Sequence, residues 1–198
     1  MPVQLHIGSG TVYVRGYVNI DIVSPRTFLA SERPDFVERY VVDADNYYGR
    51  HTEHARLEAF RDGPREDPYL CDRFGSWEAV PCRDGEAAEV LSRQVVEHLA
   101  PHEMHAAMRE ARRVLAPNGV LRLSVPDWDA SFRAYRETGE AAMLRHILGP
   151  RNSERGYHLV GYTRASLDTL VQAHGFAPGE DEPSPHAYPS LCLRWVRR

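Results

Sequence analysis

Short apolar runs mark the first half of the chain, and longer, regular periods mark the second. Residues 3–7 (VQLHI) read as a strand that closes in Gly8-Ser9-Gly10. Residues 17–22 (YVNIDI) predict a second strand with Asp21 near its end. Residues 40–42 predict a third, short strand followed by Asp43-Ala44-Asp45. Residues 88–91 then predict a strand and 94–99 a helical turn. Between 103 and 115 the residues Met104, Ala107, Met108, Ala111, Val114 and Leu115 recur at helical spacing. Pro101 suits the first turn of that helix, and Pro117-Asn118-Gly119 stops it. Residues 120–125 predict a buried strand closed by Pro126-Asp127. A helix over 132–148 is broken by Gly149-Pro150, an amphipathic helix over 164–173 ends at His174-Gly175, and 190–196 forms a last strand.

Strands alternating with helices predict an α/β fold: a doubly wound, mostly parallel, seven-stranded-type sheet with helices on both faces. Residues 46–76 interrupt the pattern with interleaved arginines and acids and with breaks at Gly63-Pro64 and Asp67-Pro68. We read that stretch as an insertion or long loop with one helical turn near 53–60, inside a single domain spanning 1–198. Residues 129–157, before the helix at 164–173, are expected to form a lid.

Composition narrows the chemistry. The 198 residues carry 24 basic and 28 acidic side chains, a formal net charge of −4, which disfavours nucleic acid as a partner. All 24 basic residues are arginine. A chain without lysine cannot build a P-loop, a pyridoxal Schiff base or a protein-kinase phosphate site. The three cysteines are scattered, with no CxxC pair, and no apolar run is long enough to span a membrane. With no leader-like N-terminus, these features predict a cytoplasmic protein.

A GxG turn after the first strand lies where open α/β sheets bind ligands, at the carboxyl ends of strands. The dinucleotide fingerprint is incomplete, since Tyr13 stands where a third glycine belongs and 11–16 is too short for a helix. That argues against NAD and FAD, and less against a nucleoside lacking a pyrophosphate. Asp21 fits a ribose acceptor at the end of the second strand, and Asp43 could accept from an adenine amine.

At these residues the chain resembles the class I S-adenosylmethionine-dependent methyltransferases, in particular small proteins made of one methyltransferase domain. The resembling segments are LHIGSG (5–10), GYVNID (16–21), VDAD (42–45), VPCRDG (80–85), VLSRQVVEHL (90–99), REARRVLAPNGVLRLSVPD (109–127), Tyr157-His158 and HGF (174–176). The resemblance implies S-adenosyl-L-methionine as cofactor. Gly8, Ser9 and Gly10 would approach its methionine portion, Asp21 its ribose, and Asp43 with Ala44 its adenine end. Ser92 and Arg93 would line the same pocket. It also implies methyl transfer to a small-molecule or sugar-like acceptor through a hydroxyl, amine or carboxylate. A catalytically degenerate fold serving as a partner subunit is the alternative. Asn118 departs from the usual glycine of the turn after the long helix, but Asn tolerates a left-handed backbone.

A hydroxyl or amine acceptor benefits from a base of suitable pKa. The candidates are His158 and Asp127, with Tyr157 and His98 behind them. Arg145, Arg151 and Arg155 could meet an anionic acceptor. Trp128, Phe132 and Tyr135 either wall a substrate pocket or pack into the core. His98 and His102 are four apart, but Pro101 lies between them and no carboxylate is clearly placed, so no metal is expected. His51 and His54 make a similar, weaker pair.

Overall fold

A computed structural model describes residues 2–47, 68–149, 156–184, 186 and 188–198. The expected helical turn at 53–60, the pair His51 and His54, and Arg151 and Arg155 lie outside these residues.

Eleven strands occur among them: β1 (Val3–Ile7), β2 (Tyr13–Val14), β3 (Val18–Asp21), β4 (Thr27–Leu29), β5 (Val41–Val42), β6 (Tyr69–Cys71), β7 (Arg73–Phe74), β8 (Ala87–Arg93), β9 (Leu115–Pro126), β10 (Phe176–Pro178) and β11 (Ser190–Arg197). The α-helices are α1 (Pro34–Tyr40), α2 (Pro101–Val114), α3 (Trp128–Thr138), α4 (Ala141–Leu148) and α5 (Arg164–Gln172). Seven strands form one sheet in the order β10-β11-β9-β8-β1-β3-β7. β7, β3, β1, β8 and β9 run parallel, and β11 pairs antiparallel with both β9 and β10.

Strand alternation divides the sheet cleanly. Leu5, Ile7, Ile20, Val90, Leu121, Leu123, Val125, Leu193 and Trp195 share one buried apolar cluster. The same cluster contains Met104, Ala107, Met108, Ala111 and Val114 of α2, and Leu167 and Val171 of α5. The apolar period of the sequence therefore marks the buried stripe of α2, which Pro101 and Glu103 start: Glu103 accepts the Ala100 N–H at 2.6 Å. Residues one step away on the strands are polar: His6, Asn19, Asp21, Glu89, Arg93, Arg122 and Arg194. A smaller cluster of Val12, Val14, Tyr17, Val42, Tyr47 and Leu91 covers part of that second face.

Four expectations need correction. The strand at 40–42 is shorter, β5, and it pairs with β2 in a separate two-stranded sheet. The outer neighbour of β3 is β7, which lies inside the stretch read as an insertion. Residues 68–76 of that stretch thus complete the sheet edge, with Asp72 N–H bonded to Asn19 O at 2.7 Å and Gly75 N–H to Asp21 O at 2.9 Å. The helix over 132–148 is two helices, because Gly139 (φ 71°) caps α3 and donates its N–H to Tyr135 O. The Pro117-Asn118-Gly119 turn is a bulge within β9, entered after the chain has already paired Leu115 with Ala87, and Asn118 takes φ 64° there.

Candidate functional site

The crossover from β1 to β3 holds no helix; the chain leaves Gly8-Ser9-Gly10 and returns through β2. The loop must therefore be held by other means. Gly8 and Ser9 donate their N–H groups to Ile20 O at 2.9 and 3.2 Å. The Ser9 hydroxyl donates to Leu70 O at 2.7 Å, and Leu70 N–H donates to Gly10 O at 3.1 Å. Gly8 has φ 76°, and a Cβ there would lie 2.5 Å from Val95. Glycine is required at this position on both counts. Gly10 also has positive φ, 53°, but faces space with no atom within 4 Å of a Cβ position.

Asp21 closes the arrangement. One carboxylate oxygen accepts the Gly10 N–H at 2.5 Å and the other accepts the Ile22 N–H at 2.7 Å. The residue is 8% exposed. The Ser9 hydroxyl also lies 3.4 Å from the oxygen that Gly10 binds, so the loop itself orients the carboxylate. Gly8, Ser9, Gly10 and Asp21 thus meet at one edge of the sheet, as the spacing predicted.

The other expected cofactor residues do not join them. Asp43 and Ala44 follow β5, which is not in the main sheet. Asp43 is exposed and pairs with Arg15 at 3.2 Å. Ser92 and Arg93 alternate, so they point to opposite faces. Ser92 donates to Ile7 O at 2.8 Å and accepts from Trp77 Nε1 at 3.3 Å within the apolar side. Arg93 is buried on the polar side, 3.1 Å from Glu182. Glu182 also binds Arg122, which reaches Glu89 at 2.9 Å. Arg93 is a structural member of this ion network.

Gln94 was not anticipated. It ends β8 in a left-handed conformation, φ 56°, which is uncommon for a residue with a side chain. Its amide donates to the Ser124 and Ser190 hydroxyls at 3.3 and 3.4 Å, tying the ends of β8, β9 and β11 together. No sequence pattern marks such a backbone outside glycine.

Among the base candidates, Asp127 caps α3 through Oδ1, which accepts the Ala130 N–H at 3.0 Å. His158 packs edge to face against His98, with the ring centroids 4.7 Å apart. Its Nδ1 faces Ile147 O at 3.1 Å and its Nε2 lies 3.9 Å from Glu97 Oε1. Burial, with His98 nearby, lowers its pKa to about 4. Glu97 is 1% exposed, neither carboxyl oxygen has a hydrogen-bond partner, and burial pushes its pKa up to about 8. Trp128 packs over Gly161, where a Cβ would fall 1.7 Å from the indole. Phe132, by contrast, is 43% exposed and lines a shallow hollow with Asp129, Arg133, Arg136 and Glu137.

A family profile described as "Methyltransferase domain" matches residues 13–179. No curated protein matches the sequence. The fold is similar to that of the Burkholderia thailandensis 1,6-didemethyltoxoflavin N1-methyltransferase, solved with 1,6-didemethyltoxoflavin and S-adenosylhomocysteine. The TM-score is 0.57 at 14% identity, over 99% of this chain and 71% of that one. An S-adenosylmethionine-dependent methyltransferase of Methanosarcina mazei gives 0.54 at 15% identity, over 98% and 90%. Sheet order and these likenesses define a Rossmann-like methyltransferase fold. The chain belongs to the methyltransferase-domain family, and is a class I S-adenosylmethionine-dependent methyltransferase. Its cofactor is S-adenosylmethionine. Among the described residues no helix is long and apolar enough to cross a membrane.

Proposed function

We propose that the protein methylates a small-molecule or sugar-like acceptor at a hydroxyl, amine or carboxylate, with the cofactor seated on Gly8-Ser9-Gly10 and its ribose on Asp21. One observation supports this most: the buried carboxylate of Asp21 is fixed against Gly10 at the edge where the loop opens to free space. The residues fit the group. A Gly10 with no atom within 4 Å of a Cβ position leaves room for a ligand's close approach, and Asp21 stands at the end of β3, where a ribose acceptor belongs in such sheets.

When bound, the sulfonium supplies an activated methyl group for in-line displacement. The chain's own work is alignment and proton removal. Asp127, at the end of β9 on the same edge, is the acceptor-side base in this reading. Its Oδ2 is outside the cap bond. Helices α3 and α4 form the described part of the lid. Arg145 on α4 would meet an acidic group of the acceptor.

The test is a calorimetric titration of the purified chain with S-adenosylhomocysteine, with NAD as control. Micromolar binding of the first alone is expected. Binding of neither, with a stable complex to another protein, would favour a partner-subunit role.

A further inference from the structure

Beyond methyl transfer, we infer that Glu97, His98 and His158 form a binding site for a divalent transition-metal cation of the zinc type. Sequence spacing pointed instead to His98 with His102, and so to no site. The fold replaces that pair. Glu97 and His98 sit on the short 3₁₀ turn Val96–His98 after β8, and His158 arrives from a segment 60 residues later. One potential ligand atom from each lies within 4.8 Å of the others.

Three features carry the inference. First, the imidazoles are oriented as metal ligands are. His158 Nδ1 lies 3.1 Å from Ile147 O, and His98 Nδ1 lies 2.9 Å from Tyr157 O. A carbonyl can only accept, so each Nδ1 carries the proton and each Nε2 presents a lone pair. Outer-shell carbonyls of this kind fix the tautomer of metal-bound histidines. Second, the Glu97 carboxyl is 1% exposed with both oxygens unpartnered. Protonation resolves this only in part, because a carboxylic acid donates through one oxygen, toward His158 Nε2 3.9 Å away, and the other oxygen stays unpartnered. A cation resolves it in one step. Third, the two segments are locked together by backbone. Glu97 O accepts the N–H groups of Leu159 and Val160 at 2.8 and 3.2 Å, and the His98 and His158 rings meet edge to face at 4.7 Å.

Ligand atoms around a tetrahedral ion with bonds of about 2.0–2.2 Å are separated by about 3.4 Å. The 3.9 Å between His158 Nε2 and Glu97 Oε1 needs only a small side-chain rotation to reach this. Two imidazoles and one carboxylate suit Zn²⁺, Co²⁺ or Ni²⁺ rather than Mg²⁺ or Ca²⁺, which prefer oxygen. Three protein ligands leave a coordination position open. The turn holding Glu97 begins next to Val95, whose side chain abuts Gly8, so the cation site shares a wall with the Gly8–Gly10 loop. A hydroxyl or carboxylate oxygen could occupy it.

The experiment is equilibrium dialysis of the full chain against ZnCl₂ with elemental analysis, together with visible absorption of the Co²⁺ form. One equivalent of Zn²⁺, a tetrahedral Co²⁺ band and a metal-dependent rise in melting temperature are expected. Glu97→Gln and His158→Ala should each weaken binding roughly tenfold or more. Glu97→Gln keeps the shape of the side chain, so it carries the test if His158→Ala fails to fold. His105 and His174 are also 2.9 Å apart, on the surface. Their alanine variants should leave Zn²⁺ binding intact. Absence of Zn²⁺ binding by the unaltered chain would overturn the inference, as would loss in the His105 and His174 variants with retention in Glu97→Gln. These readouts need no methyl transfer. Failure to bind S-adenosylhomocysteine would leave them untouched.

Discussion

The two faces of the central sheet are built on different physics. One face is dry. Leu121, Leu123, Leu193 and Trp195 pack under α2 and α5, and almost every side chain there is fully buried. Its polar ties are few: Trp195 Nε1 donates to Asp168 Oδ1 of α5 at 2.9 Å, and Trp77 Nε1 donates to Ser92 Oγ at 3.3 Å. The other face is held by polar groups that satisfy one another. His6 bridges Asn19 and Tyr47 at 2.9 Å each, and Glu182 joins Arg93 to Arg122. Among the described residues its cover is mostly extended chain, including β2 and β5. A helix buries a stripe of side chains and satisfies its own backbone. Extended segments do neither alone, so the face under them needs hydrogen bonds and ion pairs to close it. The face without a helical crossover is also the one on which Asp21 meets the Gly8–Gly10 loop. With no helix between β1 and β3, the acid finds its backbone partner in the loop, at Gly10.

Substitutions on each face should separate these modes. Trp195→Ala on the dry face should cost the most, about 3–5 kcal/mol in denaturant unfolding, through a large cavity and the lost bond to Asp168. A loss under 1 kcal/mol would mean that α5 does not depend on the sheet. Glu182→Ala on the polar face should cost about 3 kcal/mol, because Arg93 and Arg122 would remain buried without their shared partner. Replacing Arg93, Arg122 and Glu182 together with Met, Met and Leu should recover part of that loss, since Glu89 keeps the Tyr17 hydroxyl as a partner. Non-recovery would show that the face is not governed by pairing.

Asp21→Ala should weaken S-adenosylhomocysteine binding by about 1–3 kcal/mol, read by calorimetry. Equal affinity would move the ribose site elsewhere. Asp43→Ala, at an exposed pair with Arg15, should change stability by less than about 0.5 kcal/mol and leave that affinity alone. A weakened affinity would restore Asp43 to the adenine end.

Acid should act on the polar face through His6. Burial lowers its pKa to about 4, against an ordinary value of 6.5. Between those values the unfolded chain holds the extra proton, so stability rises with pH there and falls as pH drops from about 6.5 toward 4. In His6→Gln the dependence over this window should be shallower. An unchanged slope would assign it to other groups.

Local chemistry was legible where it depends on neighbours in the chain. The stripe Met104, Ala107, Met108, Ala111 and Val114 has helical period, and every member is buried. Gly8-Ser9-Gly10 and Asp21 each end a strand, and adjacent parallel strands bring such ends together. Pairing between distant strands was not legible. β5 and β7 are both two residues long, and nothing in their composition says which one reaches β3. Tertiary contacts decided it through Asp72 and Gly75, whose N–H groups bond Asn19 and Asp21. The same limit hid the fate of Ser92 and Arg93. Alternation shows that they face opposite ways, but only the strand order and the arrival of Glu182 show what each side contains. Glu97, His98 and His158 are the extreme case, since their meeting depends on two backbone bonds between segments 60 residues apart. Sequence by itself determined the α/β fold class, the strand ends and the buried helix stripe, because those follow from periodicity and turn chemistry. Tertiary structure alone decided which polar groups share a site, because burial and pairing belong to the folded chain.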